Sequence, residues 1–442
     1  MLDKVFKFIE RFVPMKYKWV LNHDGFKRYF ANTGWMFGGQ MFSLLVSFFI
    51  GAWLARYLGP ENYGVLSYAI AFVGLFGFIA SLGIDGILNR ELVKFPEKRD
   101  ELLGTAFRLK LIGGFIAFFL TVISAFLFAT TPLIKFLIII FSFSFILQAI
   151  NVIVVYFQAE VKSKNNVLAI LFATAASSFL KIIVILLDRG VIWIMVVFVL
   201  DSLWQGIGFL KAYQFYGLKI KKWYFSKNLA VKILKESWPL MLAVAASFIY
   251  LKIDQIMVGS LLGSREVGLY AAAIRLVEIW YFIPGIICGS LFPAIINAKK
   301  NNFLFYKKRL KALYLLIIGI ALSIAIISTI LAPWVLVILF GKAYSAAVVI
   351  LQIYVWSGIG LFVGWVIVQH LLSENRSRGI LVYNLLSMLT NVFLNIILIP
   401  RFGLTGAAWA TLISYSAGPI VMVFLWRFNN FREKKVIKSC II

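Results

Sequence analysis

Twelve long apolar stretches, joined by short charged connections, constrain this chain more than any other feature. A helix needs about 20 mostly apolar residues to cross the hydrocarbon core of a bilayer. The stretches cover residues 34–57, 64–87, 109–130, 133–157, 167–187, 190–210, 238–262, 267–295, 313–340, 346–372, 378–399 and 404–426. They leave no room for a large folded domain outside the membrane. The pattern predicts an all-α integral membrane protein and excludes a globular enzyme or a membrane enzyme with a folded extramembrane lobe.

The distribution of positive charge predicts the orientation of these spans. The 442 residues include 44 Lys and Arg against 18 Asp and Glu, a net charge of +26. With the N-terminus inside, the inner connections and the two ends hold 35 of the basic residues, and each of the six outer loops holds one. This asymmetry follows the positive-inside rule. We therefore expect a multi-pass protein of the plasma or inner membrane with both termini in the cytoplasm. The charge is explained by topology and contact with anionic lipid, so we expect no nucleic-acid partner.

A weak internal repeat divides the chain into two halves. A shift of 204 positions lays residues 58–70 over residues 262–274 with five identities in 13 positions. Both segments form the outer turn between the first two spans of a six-span half. The sequence therefore predicts two six-helix bundles, related as parallel repeats by an axis along the membrane normal. Transporters use this architecture, because rocking one bundle against the other exposes a central cleft to each side in turn.

The predicted organisation has five parts along the chain. In the first part, an amphipathic segment over residues 1–13 is typical of an interfacial helix. The parts are a cytoplasmic interfacial segment (1–33), an N-terminal bundle (34–216), a basic cytoplasmic connection (217–237), a C-terminal bundle (238–426) and a basic cytoplasmic tail (427–442).

Four charged residues lie at a similar depth inside two neighbouring spans. Lys252 and Asp254 lie in span seven, and Arg275 and Glu278 lie in span eight. Each such charge costs about 2.5–3.5 kcal/mol on insertion scales, so it normally faces protein or water. A guanidinium binds phosphate or carboxylate oxygens in pairs, which makes Arg275 the first candidate for an anion contact. Asp254 and Glu278 would hold Arg275 and Lys252 in place or carry a coupling cation. Alternatively, the four residues only form ion pairs that join the two spans.

Three further charges are candidates for a role in transport. Asp201 lies in span six with Gln205 one turn later, which suits a cation or proton relay. It could instead pair with Lys181 of span five, and Lys181 could also extend toward the interface. Arg56, at the outer end of span one, could guard the outer mouth or be an interfacial residue. The sequence shows no nucleophile motif, metal-ligand cluster or phosphate-binding glycine loop, so we expect no catalytic residue, metal or cofactor.

Three segments resemble the polysaccharide transporter family, which includes the Wzx-type O-antigen flippases. They are residues 50–71 (IGAWLARYLGPENYGVLSYAIA), 249–284 (IYLKIDQIMVGSLLGSREVGLYAAAIRLVEIWYFIP) and 398–412 (LIPRFGLTGAAWATL). This family belongs to the multidrug/oligosaccharidyl-lipid/polysaccharide exporter (MOP) superfamily. The resemblance implies a MATE-like fold of about twelve spans and a cation-lined central cavity. The positions that fit the family pattern are Arg56, Asp254, Arg275 and Glu278.

The resemblance also implies a function, namely alternating-access flipping of a polyprenyl-diphosphate-linked oligosaccharide from the cytoplasmic to the outer leaflet. We expect Arg275, Lys252 and Arg56 to contact this substrate and Asp254, Glu278, Asp201 and Lys181 to serve coupling or charge pairing. The family expectation is a monomer that works beside a glycan polymerase or glycosyltransferases. The main alternative is an ion-coupled small-molecule or multidrug antiporter of the same superfamily. A membrane glycosyltransferase or glycan polymerase is disfavoured, because every outer loop is short.

Overall fold

The computed structural model describes residues 24–129, 131–301, 303–374 and 377–439, and these residues form α-helices and short 3-10 turns without a strand. The predicted interfacial helix over residues 1–13 lies outside these ranges. The helices of the N-terminal half are α1 (Asp24–Gly74), α2 (Gly77–Ser81), α3 (Asp85–Lys94), α4 (Arg99–Phe128), α5 (Pro132–Ser142), α6 (Ser144–Leu147), α7 (Val152–Ala159), α8 (Lys164–Leu186) and α9 (Gly190–Phe215). Those of the C-terminal half are α10 (Lys227–Leu262), α11 (Ser264–Glu278), α12 (Phe282–Asn301), α13 (Phe303–Phe340), α14 (Ala347–Tyr354), α15 (Ser357–Ser373) and α16 (Ser377–Ser439).

Most of the described residues lie in long apolar helices. They contain ten helical runs that are long and apolar enough to span a bilayer. Two of the ten, α1 and α16, are each broken once, at Gly59 and Gly403. Both glycines have a positive φ, which a residue without Cβ adopts at no steric cost. Dividing these two helices at their breaks gives twelve segments, which confirms an all-α membrane fold of about twelve spans.

Several predicted spans are interrupted, which the apolar composition did not show. The prediction of one continuous second span over residues 64–87 is wrong, because α1 ends at Gly74 and positive φ values at Leu82 and Gly83 separate α2 from α3. The eighth span is likewise divided between α11 and α12. Hydropathy measures the free energy of transfer into lipid. It therefore does not reveal a turn whose backbone polar groups are hydrogen-bonded by the surrounding helices.

The internal repeat is visible in the backbone. Gly59 and Gly263, which are 204 positions apart, both have a positive φ with an extended ψ. The helices that follow them end at Gly74 and Glu278, again 204 positions apart. The pair Gly64 and Gly268 pack against each other reciprocally: a Cβ on Gly64 would collide with the Ser264 carbonyl, and one on Gly268 with the equivalent Pro60 carbonyl. Such an isologous contact is what a two-fold axis between repeats produces.

The hydrophobic core joins the two halves at one end of the molecule. One cluster contains buried residues from both halves near the Gly59 and Gly263 turns, including Leu66 and Tyr270. A second cluster lies in the N-terminal half and a third in the C-terminal half. The halves are therefore packed together at the end that carries these two turns.

Part of the predicted connection between the halves is helical. We expected a connection over residues 217–237, but α10 already begins at Lys227. Its first turns bury Ala230 and Ile233 against the N-terminal half, whereas Ala243 packs with helices of the C-terminal half. The charged residues of this stretch lower its hydropathy and hid the helix. A similar extension occurs at the other end of the chain, where α16 continues through the predicted tail to Ser439.

Candidate functional site

Arg275 connects the two halves and is partly buried. It lies on α11, and its Nη2 donates to the Ser47 carbonyl of α1 at 2.6 Å. Its Nη1 donates to the Tyr63 hydroxyl at 3.4 Å. Gly51 makes room for the side chain, because a Cβ there would collide with the guanidinium. The buried Nε has no acceptor among the described residues. Arg275 is thus held by neutral groups, with hydrogen-bonding capacity left over.

Lys252 is paired with Glu278. Its Nζ lies 2.8 Å from Glu278 Oε1, and the two side chains are 29% and 36% exposed. The pair is therefore only partly buried. The sequence analysis predicted carboxylate partners for both Arg275 and Lys252. The structure shows such a partner for Lys252.

Asp254 has hydroxyl donors instead of a cation. It is fully buried, and its Oδ2 accepts from the Tyr270 hydroxyl at 2.6 Å and from Thr411 Oγ1 at 3.2 Å. Its Oδ1 accepts from the Gln255 backbone N–H at 2.8 Å. The expected contact between Asp254 and Arg275 is absent among the described residues, because Arg275 contacts α1 instead. Asp254 lies inside the C-terminal half, which supplies the three donors named above.

A chain of polar side chains extends from Asp254 through α16, which the sequence analysis missed. Ser414 donates to the Thr411 carbonyl at 3.0 Å, and Asn391 Nδ2 donates to Ser414 Oγ at 3.1 Å. Asn395 Nδ2 then donates to Asn391 Oδ1 at 3.0 Å. The available signal was the spacing of Asn391 and Asn395, which lie one turn apart in an otherwise apolar span.

The N-terminal half contributes its own charges to the interior. Asp201 accepts hydrogen bonds from Ser177 Oγ at 2.8 Å and from Gln205 Nε2 at 3.1 Å. Lys181 lies 4.0 Å from the centre of the Phe198 ring and is within electrostatic range of both Asp201 and Arg275. The structure therefore brings Lys181, Asp201 and Arg275 into one region between the halves. Lys181 and Asp201 do not form a direct ion pair there.

Arg56 has a different environment from the other predicted cations. It is exposed, and its Nε lies beside Gly341 at the end of α13. Next to it, the Tyr344 hydroxyl of the C-terminal half donates to the Ala55 carbonyl at 2.6 Å. The Tyr344 ring also packs edge-on against Tyr63. Arg56 thus belongs to the end of the molecule where the halves touch.

The sequence analysis named charged candidates for this site but not the groups that hold Arg275. Ser47 contributes a backbone carbonyl, and Gly51 contributes only space. Neither role can be recognised from the residue type or from the spacing of residues. No group of three or more His, Cys, Asp or Glu side chains that could hold a metal occurs among the described residues.

Comparisons with known proteins agree with this architecture. A curated relative, the probable flippase AglR of Haloferax volcanii, is 27% identical over 177 residues, which is 39% of this chain and 37% of the relative. This match therefore spans little more than a third of the length of that relative. Among solved structures, the lipid II flippase MurJ in an inward closed conformation has a TM-score of 0.68 at 18% identity, covering 88% of this chain and 86% of its own.

A multidrug resistance MATE transporter of the MOP superfamily, in its inward-facing conformation, gives the same TM-score of 0.68 at 14% identity, covering 89% of this chain and 96% of its own. At these identities the two structures show the fold alone, and that fold is the MATE-like one expected from the sequence. The family model of polysaccharide biosynthesis proteins matches residues 29–299, which is more than half of the sequence. The chain therefore belongs to the polysaccharide biosynthesis protein family and has the fold of the MOP-superfamily transporters.

Proposed function

We propose that this protein flips a polyprenyl-diphosphate-linked oligosaccharide from the cytoplasmic to the outer leaflet by alternating access, for the synthesis of cell-surface glycan. The observation that carries this proposal is the environment of Arg275. It lies between the halves, and among the described residues its hydrogen-bond acceptors are a carbonyl and a phenol, not a carboxylate. A guanidinium held in this way can exchange neutral acceptors for phosphate oxygens, with which its hydrogen bonds are stronger.

The charges around Arg275 suit a diphosphate. A diphosphate cannot enter hydrocarbon without compensation, because burying an isolated charge is very costly. Lys181 and Lys252 add two further cations to the interior, against the carboxylates of Asp201, Asp254 and Glu278, and Asp254 is held by hydroxyl groups away from Arg275. Since Lys252 and Glu278 are both partly exposed, the lysine can also turn toward an anion in the cleft. Arg275 and Lys252 are thus the proposed diphosphate contacts.

The packing of the halves fits the start of such a cycle. We propose the orientation given by the positive-inside pattern, with both termini in the cytoplasm of a plasma or inner membrane. The Gly59 and Gly263 turns then lie at the outer side, where the hydrophobic core joins the halves. In this state the cleft is closed outward, so the headgroup enters from the cytoplasmic side while the polyprenyl tail stays in the bilayer. Arg56 would meet the substrate only after this contact opens.

The remaining charges would serve coupling or charge balance. Asp254 and Asp201 are the proposed candidates for a coupling cation or proton, since each is bound by hydroxyl or amide groups and not by a basic side chain. We propose no catalytic role for any residue. The protein would act as a monomer, in contact with anionic lipid and beside the enzymes that build or polymerise the glycan.

Leaflet sidedness in proteoliposomes tests this function. The liposomes contain a polyprenyl-diphosphate oligosaccharide, and the measurement is the fraction of glycan cleaved by an added external glycosidase. We expect wild-type protein to raise this fraction above that of protein-free liposomes. Arg275→Ala should lower the initial rate at least tenfold, since a charge-assisted contact of about 1.5–3 kcal/mol is lost. Arg189→Ala, which removes an arginine from a loop, is the control.

Two results would contradict the proposal. If wild-type protein exposes no glycan from several lipid-linked substrates but drives ion-coupled efflux of a small cation, the chain is an antiporter of the same superfamily. If Arg275→Ala lowers the amount of folded protein in proportion to activity, then Arg275 only holds the halves together, and its role as substrate contact is wrong.

A further inference from the structure

A cavity with mostly apolar walls and a polar base lies inside the N-terminal half, outside the charged site described above. Its volume is about 130 Å³, and it is lined by nine residues from α1, α7, the start of α8 and the position directly before α8. None of the nine is charged, and four are polar: Gln40, Gln158, Ser163 and Asn166. Gln40 and Gln158 are exposed at its mouth, whereas Ser163 and Asn166 are each 2% exposed at its base.

Two buried acceptors in this cavity lack hydrogen-bond partners. Neither Ser163 Oγ nor Asn166 Oδ1 meets a donor among the described residues. Asn166 is held in place from its other side, since its Nδ2 donates to the Val154 carbonyl at 3.3 Å. Leaving a buried acceptor unsatisfied costs about 1–3 kcal/mol. The base of the cavity is therefore built to receive O–H or N–H groups.

The cavity lies in line with Arg275 along α1. Gln40 precedes Ser47, whose carbonyl Arg275 binds, by seven residues, and two helical turns return a side chain to nearly the same face. The rise of about 1.5 Å per residue places Gln40 about 10 Å from Ser47, toward the start of α1. In the proposed orientation this is the cytoplasmic direction, along which the glycan of a substrate would extend from a diphosphate at Arg275.

We infer that this cavity is a binding subsite for one neutral sugar ring close to the diphosphate, an inference that rests on the proposed flippase function. Its size is comparable to the roughly 150 Å³ that accommodates a six-membered ring such as benzene. Sugar hydroxyls donate to Ser163 Oγ and Asn166 Oδ1, and the amides of Gln40 and Gln158 hydrogen-bond the ring substituents at the mouth.

The lining excludes the other obvious ligands. An ionised phosphate offers no donor to Asn166 Oδ1, and no cation lines the cavity to attract it. A metal cation would need a carboxylate or several oxygens arranged around it, and no acidic residue is part of the lining. A lipid chain would bury the polar base without satisfying it. A hydroxylated, uncharged ring meets none of these objections, because it offers hydrogen-bond donors to the base of the cavity and needs no charged partner.

Equilibrium binding in detergent tests the subsite with two radiolabelled probes. One is a polyprenyl diphosphate with a single N-acetylhexosamine, and the other is the same polyprenyl diphosphate without a sugar. We expect wild-type protein to bind the sugar-bearing probe more tightly. Ser163→Leu, which fills the cavity, should abolish this preference without changing the Kd of the sugar-free probe. Ser163→Ala should weaken only the sugar-bearing probe, by about threefold to tenfold.

The controls separate this inference from the proposed function. Ser178→Ala, a buried serine of α8 that does not line the cavity, should keep the preference, and Arg275→Ala should weaken both probes. Equal affinity of wild-type protein for both probes, or an unchanged preference in Ser163→Leu, would overturn the sugar subsite and leave the flippase intact. Failure of wild-type protein to bind either probe would instead overturn the proposed function.

Discussion

The interior charges of this protein are held in three different ways. Lys252 has a carboxylate partner, Asp254 has hydroxyl donors, and Arg275 has a backbone carbonyl from the opposite half. The cost of placing a charge in the membrane is thus met by local contacts for Lys252 and Asp254. For Arg275 it is met by a contact that lasts only while the halves keep this arrangement. Arg275 is therefore the charge whose environment changes if the two halves move apart.

A double-mutant cycle distinguishes these environments. Glu278→Gln should destabilise the protein by about 1–3 kcal/mol, because Lys252 loses its partner. Adding Lys252→Gln should recover much of that loss, with a coupling energy of about 0.5–3 kcal/mol between the two changes. Asp254 and Arg275 share no direct contact, so the effects of Asp254→Asn and Arg275→Gln on the free energy of unfolding should add. The measurement is thermal unfolding in detergent, and a larger coupling for the second pair would contradict the contacts described here.

Sequence reasoning assigned a carboxylate partner to each of the two cations, which the structure shows for Lys252 but not for Arg275. Hydropathy gives the depth of Arg275 and helical periodicity gives its face. Which carbonyl lies opposite depends on how α11 crosses α1. That crossing is set by small residues such as Gly51, whose contribution is the absence of a side chain. The charge of these residues and their expected depth could thus be read from the sequence. Contacts made by a backbone carbonyl, or allowed by a missing side chain, could not.

At the scale of elements, the contact between Gly64 and Gly268 controls how closely the two halves approach. Each glycine faces a backbone carbonyl of the opposite repeat, so no side chain can be accommodated on either. The repeat found in the sequence predicted this correspondence, because Gly64 and Gly268 are aligned by the shift of 204 positions. It did not predict that the two positions touch, since an alignment of repeats contains no information about their distance.

Gly64→Ala should shift the protein away from the state with the halves in contact. The added Cβ collides with the Ser264 carbonyl, and overpacking of this kind costs about 1–3 kcal/mol. The population of the separated state should therefore rise about fivefold or more. Spin labels at Glu61 and Lys342, both exposed, report the distance between the halves at this end. Gly74→Ala in the same helix is the control, because nothing lies within 4 Å of its Cβ position. Identical distance distributions for Gly64→Ala and wild type would contradict this role.

At the scale of the whole molecule, the two ends of the interface between the halves differ in chemistry. The end with the glycine turns is closed by an apolar core that includes Tyr344. Elsewhere α10, which begins against the N-terminal half, is tied to α3 by ion pairs: Arg90 contacts Glu236, and Lys232 Nζ lies 3.1 Å from Glu91 Oε2. Apolar contact is insensitive to pH, whereas ion pairs depend on ionised carboxylates. The two ends should therefore respond differently to acid.

Glu91 is the group through which this difference should appear. Burial alone would raise the pKa of Glu91, but hydrogen bonds and charge from Lys232 and Arg90 outweigh burial and hold that pKa below its ordinary value of 4.5. A carboxyl whose pKa is lowered on folding contributes stability that is complete above its unfolded pKa. That contribution is lost as the pH falls below about 4.5 toward the folded pKa. The ion pair between Glu91 of α3 and Lys232 of α10 should thus weaken in acid before the apolar core does.

Thermal unfolding in detergent at pH 7 and at stepwise lower values down to about 3.5 measures this contribution. Glu91→Gln should be less stable than wild type at pH 7, by about 1–3 kcal/mol, since two charge-assisted hydrogen bonds are weakened. The gap between the two proteins should narrow as the pH falls below about 4.5, because wild-type Glu91 then becomes neutral as well. Other carboxylates titrate in the same range, so the gap and not the absolute stability carries the test. A gap that stays constant from neutral to acid pH would show that Glu91 stabilises the protein by packing alone, and that its ion pair with Lys232 contributes nothing to holding α10 against α3.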